Sequence, residues 1–213
     1  MSLCVQEEAA LRDDQVLVSG LIAACREIIA AHADHLSELD RAIGDGDHGT
    51  NMRRGCEAVY ADRDRFSQMP LAQAIEEIGL TLVLTIGGAS GPLYGTLLME
   101  IGRRLAAGGE ADFSAALTGA VEAVARRGRA QRGEKTLLDV LYPVQDEVIR
   151  RHALSAIAER AETSATLTVG MKALRGRASF LGERSIGHMD PGARSCALLT
   201  SAICHYLKEH RAA

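Results

Sequence analysis

The sequence predicts an all-α fold, an up-and-down bundle of eight antiparallel helices, on three observations. Aromatic residues are only 3% of the chain and strand-like alternation is not sustained anywhere. Ala and Leu recur instead at spacings of three and four, the period of a helix with one apolar face. Short polar stretches, rather than long linkers, separate the periodic segments, which favours antiparallel neighbours.

This periodicity places helices over residues 12–35, 49–64 and 70–87. Pro92 follows a glycine-rich stretch and suits the first turn of a helix over 91–107. Asp112 and Ser114 offer capping oxygens before Ala115, Ala116 and Leu117, and open a helix over 112–127. The next helix, 136–152, contains Pro143, which should kink or shorten it. A helix over 153–175 follows, and the segment 176–190 reads as the one long loop. Pro191 then opens the last helix, 191–210. With no repeat and no low-complexity segment, residues 1–213 read as a single domain.

Composition narrows the function classes. A formal charge of −4, with 47% apolar and 24% charged residues, describes a globular chain without general attraction for nucleic acid. The start lacks a basic region followed by an apolar run, and no uninterrupted apolar stretch approaches the roughly 20 residues that span a bilayer. The five cysteines, Cys4, Cys25, Cys56, Cys196 and Cys204, form no CxxC pair, which fits a reduced, cytoplasmic protein. Only Lys135, Lys172 and Lys208 are lysines among 24 basic residues, so phosphate chemistry would fall mainly to arginine.

Glycines cluster in four polar stretches, 44–49, 87–95, 128–133 and 176–192. Each could be a set of turns and helix caps. Gathered at one end of a bundle, their amides and the adjoining helix N-termini would make an anion cradle. The first stretch is the richest. Asp40, Asp45 and Asp47 fall within eight residues, and carboxylates so crowded repel unless a hard cation lies between them. Magnesium usually completes its coordination with water and substrate phosphates, so this trio suits a magnesium–nucleotide site better than a closed cage. A solvated acidic turn is the plainer alternative.

Three motif matches fail on context. Gly44, Gly46 and Gly49 match GxGxxG, but Asp45 and Asp47 intervene and no βαβ pattern surrounds them. An EF-hand counted from Asp45 would need ligands where Gly49 and Cys56 stand. Gly133, Lys135 and Thr136 resemble a Walker A ending, but Glu134 shifts the lysine by one residue and no strand precedes it. Gly87–Gly95 offers free amides and the Ser90 hydroxyl at a helix start. The last stretch carries Arg175, Arg177 and Arg184, a residue type suited to binding phosphate. His32, His35, His152, His205 and His210 lack zinc-site spacing and lie on helical stretches.

Taken together, Glu38–Met52, Gly87–Thr96, Gly133–Val140 and Gly176–Ala193 resemble the L subunit of the dihydroxyacetone kinases and the matching domain of single-chain versions. The motifs stand in family order and span most of the chain. The resemblance implies an eight-helix barrel with nucleotide at one rim. It implies that Asp40, Asp45 and Asp47 hold two Mg²⁺ ions on the phosphates of ADP or ATP. It assigns His48, Gly49, Thr50, Asn51, Ala89 and Ser90 to the nucleotide, and Gly128 and Leu137 to its adenine or sugar side. Arg177 would face the phosphates as the catalytic arginine, and Asp190, Pro191 and Gly192 would close the site.

The resemblance further implies that the ketose sits on a separate K subunit, so this chain alone should have no triose kinase activity. It leaves two phosphate sources open, a phosphotransferase-system M subunit, favoured because stand-alone L chains are common in that branch, or freely exchanging ATP. Related pairs act on other ketoses such as erythrulose, and a homodimer is one assembly state to test. No nucleic-acid or membrane partner is expected. The rival from another class is a non-catalytic, metal-binding regulatory bundle.

Overall fold

The computed structural model describes residues 3–107 and 113–210, with side chains from residue 14 onward. Nine α-helices form among them: α1 (Leu3–Ile43), α2 (His48–Ala61), α3 (Arg63–Ser67), α4 (Leu71–Thr85), α5 (Ser90–Ala107), α6 (Phe113–Gly128), α7 (Leu138–Ile149), α8 (Leu154–Leu167) and α9 (Pro191–His210). No strand occurs among the described residues. The all-α reading holds. Asp112, expected to cap the fifth predicted helix, lies outside the described residues.

The boundaries that differ have identifiable causes. α1 continues past residue 35 because Leu36 and Ile43 keep the buried stripe going. Asp62 leaves helical geometry, so the second predicted helix splits into α2 and the five-residue α3. α7 runs through Pro143, whose missing N–H costs it the bond to the Asp139 carbonyl, and spans only Leu138–Ile149. The helix predicted over 153–175 ends at Leu167 and a single 3₁₀ turn, Thr168–Gly170, follows. Beyond it the backbone bonds elsewhere: Leu174 N–H donates to the Glu134 carbonyl and Ala173 N–H to Ser185 Oγ. The predicted loop 176–190 contains 3₁₀ geometry over Arg177–Ser185, broken at Gly182.

Packing follows chain order. α1 packs on α2, α2 on α4, α4 on α5, and so on through α9, which returns to α1. Two apolar clusters fill the interior. Ile29, Leu36, Met52, Phe66, Leu82 and Leu198 centre one, and Val121, Val124, Leu138, Val140, Ala161 and Cys196 the other. By length and mean hydropathy alone, Asp14–Ile43 could cross a membrane. Within it Val18, Ile22, Ile29 and Leu36 are buried against neighbouring helices.

With almost no aromatics, the helices must approach closely to exclude water, and small residues permit it. Gly49, in the first turn of α2, is the extreme case. A Cβ there would lie 1.8 Å from the carbonyl oxygen of Ala33 and 2.7 Å from Ser37 Oγ on α1. This contact fixes the separation of the two helices whose connecting turn holds Asp45 and Asp47, with Asp40 in the last turn of α1.

Candidate functional site

A cavity of about 420 Å³ collects the four glycine stretches at one end of the molecule. The ends of α1 and α6 line it, at Asp40, Ile43, Val124, Arg127 and Gly128. So do the starts of α2, α5, α7 and α9, at His48, Ser90, Leu138 and Pro191. Helix starts present unpaired N–H groups and the positive end of the helix dipole. The cavity is therefore built to receive an anion, with an apolar wall of Leu93, Val124, Leu137 and Leu138 beside it.

Asp40, Asp45 and Asp47 each bring a carboxylate oxygen within 4.8 Å of the others. Local structure explains how. Asp40 closes the last turns of α1, and its Oδ2 accepts the N–H groups of Asp47 (2.9 Å) and His48 (3.2 Å). That folds the 44–47 turn, with Gly46 at φ +79°, back over the helix end. Asp47 stands at the N-cap of α2 but makes no side-chain cap bond, so its carboxylate is free to join the cluster. Burial pushes the Asp40 carboxyl up, and the Asp45 charge adds to this, while the His48 and Asp47 amides draw it down. An oxygen-only donor set of this kind fits Mg²⁺.

Arg177 reaches this cluster from the 3₁₀ segment, its Nη1 2.6 Å from Asp45 Oδ2. The three arginines of the last loop are thereby distinguished. Arg175 also lines the cavity but is held by Glu134 through two bonds, at 2.8 and 3.1 Å, and Arg184 is exposed and not among the lining residues.

Of the residues expected on the nucleotide, His48, Asn51, Ala89, Ser90, Gly128, Leu137, Asp190, Pro191 and Gly192 line the cavity. Gly49 and Thr50 do not: Gly49 faces α1 and Thr50 is exposed. Asp190 caps α9, its Oδ2 accepting the Ala193 N–H at 2.7 Å, and its own N–H donates to the buried Thr168 Oγ1.

Sequence reasoning missed the network behind His48. This side chain is buried, with Nδ1 3.1 Å from Ser90 Oγ and Nε2 2.9 Å from Ser195 Oγ. Ser195 Oγ also meets the Tyr94 hydroxyl at 2.8 Å and donates to the Gly192 carbonyl. One imidazole thus ties the starts of α2, α5 and α9 together. Burial pushes its pKa down to about 4, so the ring is neutral near pH 7 and offers one donor and one acceptor. Tyr94 sits inside the quoted glycine motif, but nothing in the sequence marks Ser195, a lone serine on an apolar helix face.

Burial also pushes the Asp190 carboxyl up to about 7, helped by the charges of Asp139 and Asp40 and opposed by the Ala193 N–H and Lys135. The native state therefore binds a proton that the unfolded chain, with an ordinary carboxyl near 4, releases. The stability this supplies is complete below pH 4 and is lost as pH rises through 7. Between pH 5 and 8 the wild type should lose about 2 kcal/mol more than Asp190→Asn, which keeps the cap without the charge. Urea unfolding of both proteins across that range checks it, and parallel profiles would refute the assignment.

Known proteins give the same picture. The DAK2 domain matches residues 42–205. The ADP-binding subunit of PEP-dependent dihydroxyacetone kinase 1 from Listeria innocua is 42% identical over 172 residues, 79% of this chain and 84% of its own. The corresponding subunit from Escherichia coli is 36% identical over 200 residues, 87% of this chain and 93% of its own. The dihydroxyacetone kinase of C. freundii, solved with AMP-PNP and Mg²⁺, superimposes with a TM-score of 0.74 at 27% identity over 90% of this chain. The chain spans 34% of that enzyme's length. With the family model covering residues 42–205 and relatives of this identity matched over most of both chains, the chain belongs to the DAK2 domain family.

Proposed function

We propose that this chain is the ADP-binding, phosphoryl-transferring subunit of a dihydroxyacetone-type kinase. One observation carries the reading: three carboxylates converge at a cavity that four helix N-termini and the glycine loops open onto. A lone acidic turn would explain the carboxylates but not the anion-binding wall around them.

Asp40, Asp45 and Asp47 would hold two Mg²⁺ ions, which neutralise the charge of the transferring phosphoryl group when bound. The chain's own residues supply alignment. The starts of α2, α5 and α9 would turn the positive ends of their dipoles to the phosphates, and the neutral His48 keeps those three helix starts in register. Arg177, paired with Asp45 in this structure, would turn its guanidinium to the phosphate oxygens when nucleotide binds. Leu137 and Gly128 stand on the apolar side, where an adenine ring would lie. Phosphoryl transfer asks little covalent chemistry of the protein beyond this.

The ketose would sit on a partner K subunit that closes the open mouth. The PEP-dependent names of the relatives favour rephosphorylation of bound ADP by a phosphotransferase-system M subunit. Free thiols at Cys25, Cys56, Cys196 and Cys204 suit a reduced, cytoplasmic setting.

Thermal denaturation with ADP and Mg²⁺, singly and together, tests the reading. Joint addition at 100 times Kd should stabilise the chain by about 2.7 kcal/mol. A full response to metal alone would favour a metal-binding regulatory bundle instead.

A further inference from the structure

Lys135 is 1% exposed, the only lysine among the large fully buried side chains of the described residues. Its ammonium donates to the carbonyl oxygens of Met171 (3.0 Å), Ser185 (2.6 Å) and His188 (2.6 Å). An ammonium has three N–H donors, so this set saturates it and leaves none for a ligand. The backbone at Lys135 is left-handed, φ +61°, which a non-glycine residue adopts only when its surroundings impose it. Asp139 imposes it, its two carboxylate oxygens accepting the N–H groups of Gly133 and Thr136 on either side.

The three carbonyls bracket the segment that carries Arg177. Neighbouring bonds close the same clasp. Glu134 accepts Leu174 N–H on its carbonyl and Arg175 on its carboxylate, and Gly187 N–H donates to the Val169 carbonyl. Ser185 Oγ joins Ala173 to Gly182 across the base of the segment. Arg177 lies one residue beyond Gly176, at φ +63°, so its placement over Asp45 is inherited from this anchored base.

We propose that Lys135 is a positioning residue for phosphate recognition: by gathering the Met171, Ser185 and His188 carbonyls, it holds the 171–188 segment so that Arg177 stands over the aspartate cluster. Lysine suits the task because a compact point charge can face three converging carbonyls, whereas the planar fork of arginine cannot. The inference rests on the nucleotide reading for its consequence, and on the bonds above for the clasp itself.

A double-mutant cycle read by calorimetric titration with Mg·ADP tests it. Arg177→Ala should weaken binding about ten- to a hundredfold, the range for a lost charge-assisted bond. Lys135→Met should cost a comparable factor in the wild-type background but less than about threefold when Arg177 is already alanine. Lys135→Arg should not rescue. Losses that simply multiply would overturn the proposal, because a lysine that only stabilised the fold would act independently of Arg177.

Hydrogen exchange on the ligand-free chain separates the clasp from the nucleotide reading. Lys135→Met should speed exchange of amides within 172–187 while α4 and α5 stay unchanged. Unaltered exchange in that segment sinks the proposal whatever the ligand data show. Wild-type protein that binds no Mg·ADP overturns the nucleotide reading and the recognition role together, leaving exchange to judge the clasp alone. Should Lys135→Met fail to fold, Glu134→Gln weakens the same clasp from its exposed side. Its expected loss is about threefold, absent in Arg177→Ala, and an equal loss in both backgrounds contradicts the proposal.

Discussion

Replacing Asp45 with alanine should abolish the joint stabilisation by ADP and Mg²⁺, a loss of about 2.7 kcal/mol at ligand concentrations that saturate the wild type. Two of the three cluster carboxylates would remain, but Asp45 is the one that links the metal-binding group to Arg177. The substitution therefore removes a cation ligand and the partner that keeps the arginine at the cluster. Ligand-free stability should hardly change. The Arg177–Asp45 pair is solvent-exposed, with side chains 69% and 36% accessible, and such pairs contribute about 0–1 kcal/mol. Removing one crowded carboxylate also relieves repulsion on Asp40, whose carboxyl is already pushed up. Thermal melts of both proteins, with and without ADP and Mg²⁺, separate the two effects. An Asp45→Ala protein that still responds to the pair of ligands would refute the site.

Gly49→Val should instead strike the fold. The Cβ alone would stand 1.8 Å from the Ala33 carbonyl oxygen and 2.7 Å from its carbon. Both are helical backbone on α1, which cannot rotate aside as a flexible side chain would. α1 and α2 must separate, and overpacking against backbone of this kind costs about 3 kcal/mol or more. Asp40 lies in the last turn of α1 and Asp47 is the N-cap of α2, so the same displacement pulls the carboxylates apart and nucleotide binding falls with stability. Urea midpoints measure the first effect and ADP–Mg²⁺ titration of the surviving folded fraction the second. A Gly49→Val chain of wild-type stability would show that the close approach is not needed.

The contrast between these variants follows from how much of each feature is local in sequence. The aspartate cluster was legible because its members lie within eight residues and repel without a cation, an argument that needs no fold. Helix positions were legible for a similar reason: an apolar stripe with a 3.6-residue period reports its own burial. Where α8 stops was not legible. Its continuation past Leu167 has the composition of a helix, but beyond it Met171 and Leu174 bond to Lys135 and Glu134, residues distant in sequence.

At Lys135 the Walker A match fails on register and on the missing strand, which leaves the lysine without a stated role in the sequence. In the folded chain its ammonium is consumed by carbonyls, and the shift of register caused by Glu134 belongs to a different device. Ser195 shows the limit most clearly. It lies 147 residues from His48, and a serine on an apolar helix face carries no sign that an imidazole will meet it. Gly49 was placed on the nucleotide by resemblance, while the geometry shows it wedged between helices. His48, one residue earlier, faces the cavity, and a single step along the helix is enough to separate the two roles.

The most direct measurement is a crystal structure grown with ADP and MgCl₂. Density for cations joining the carboxylates of Asp40, Asp45 and Asp47 to the nucleotide phosphates, with Arg177 swung from Asp45 to a phosphate oxygen, is the predicted result. Nucleotide bound away from this cavity, or three aspartate side chains dispersed into solvent beside it, would contradict the account.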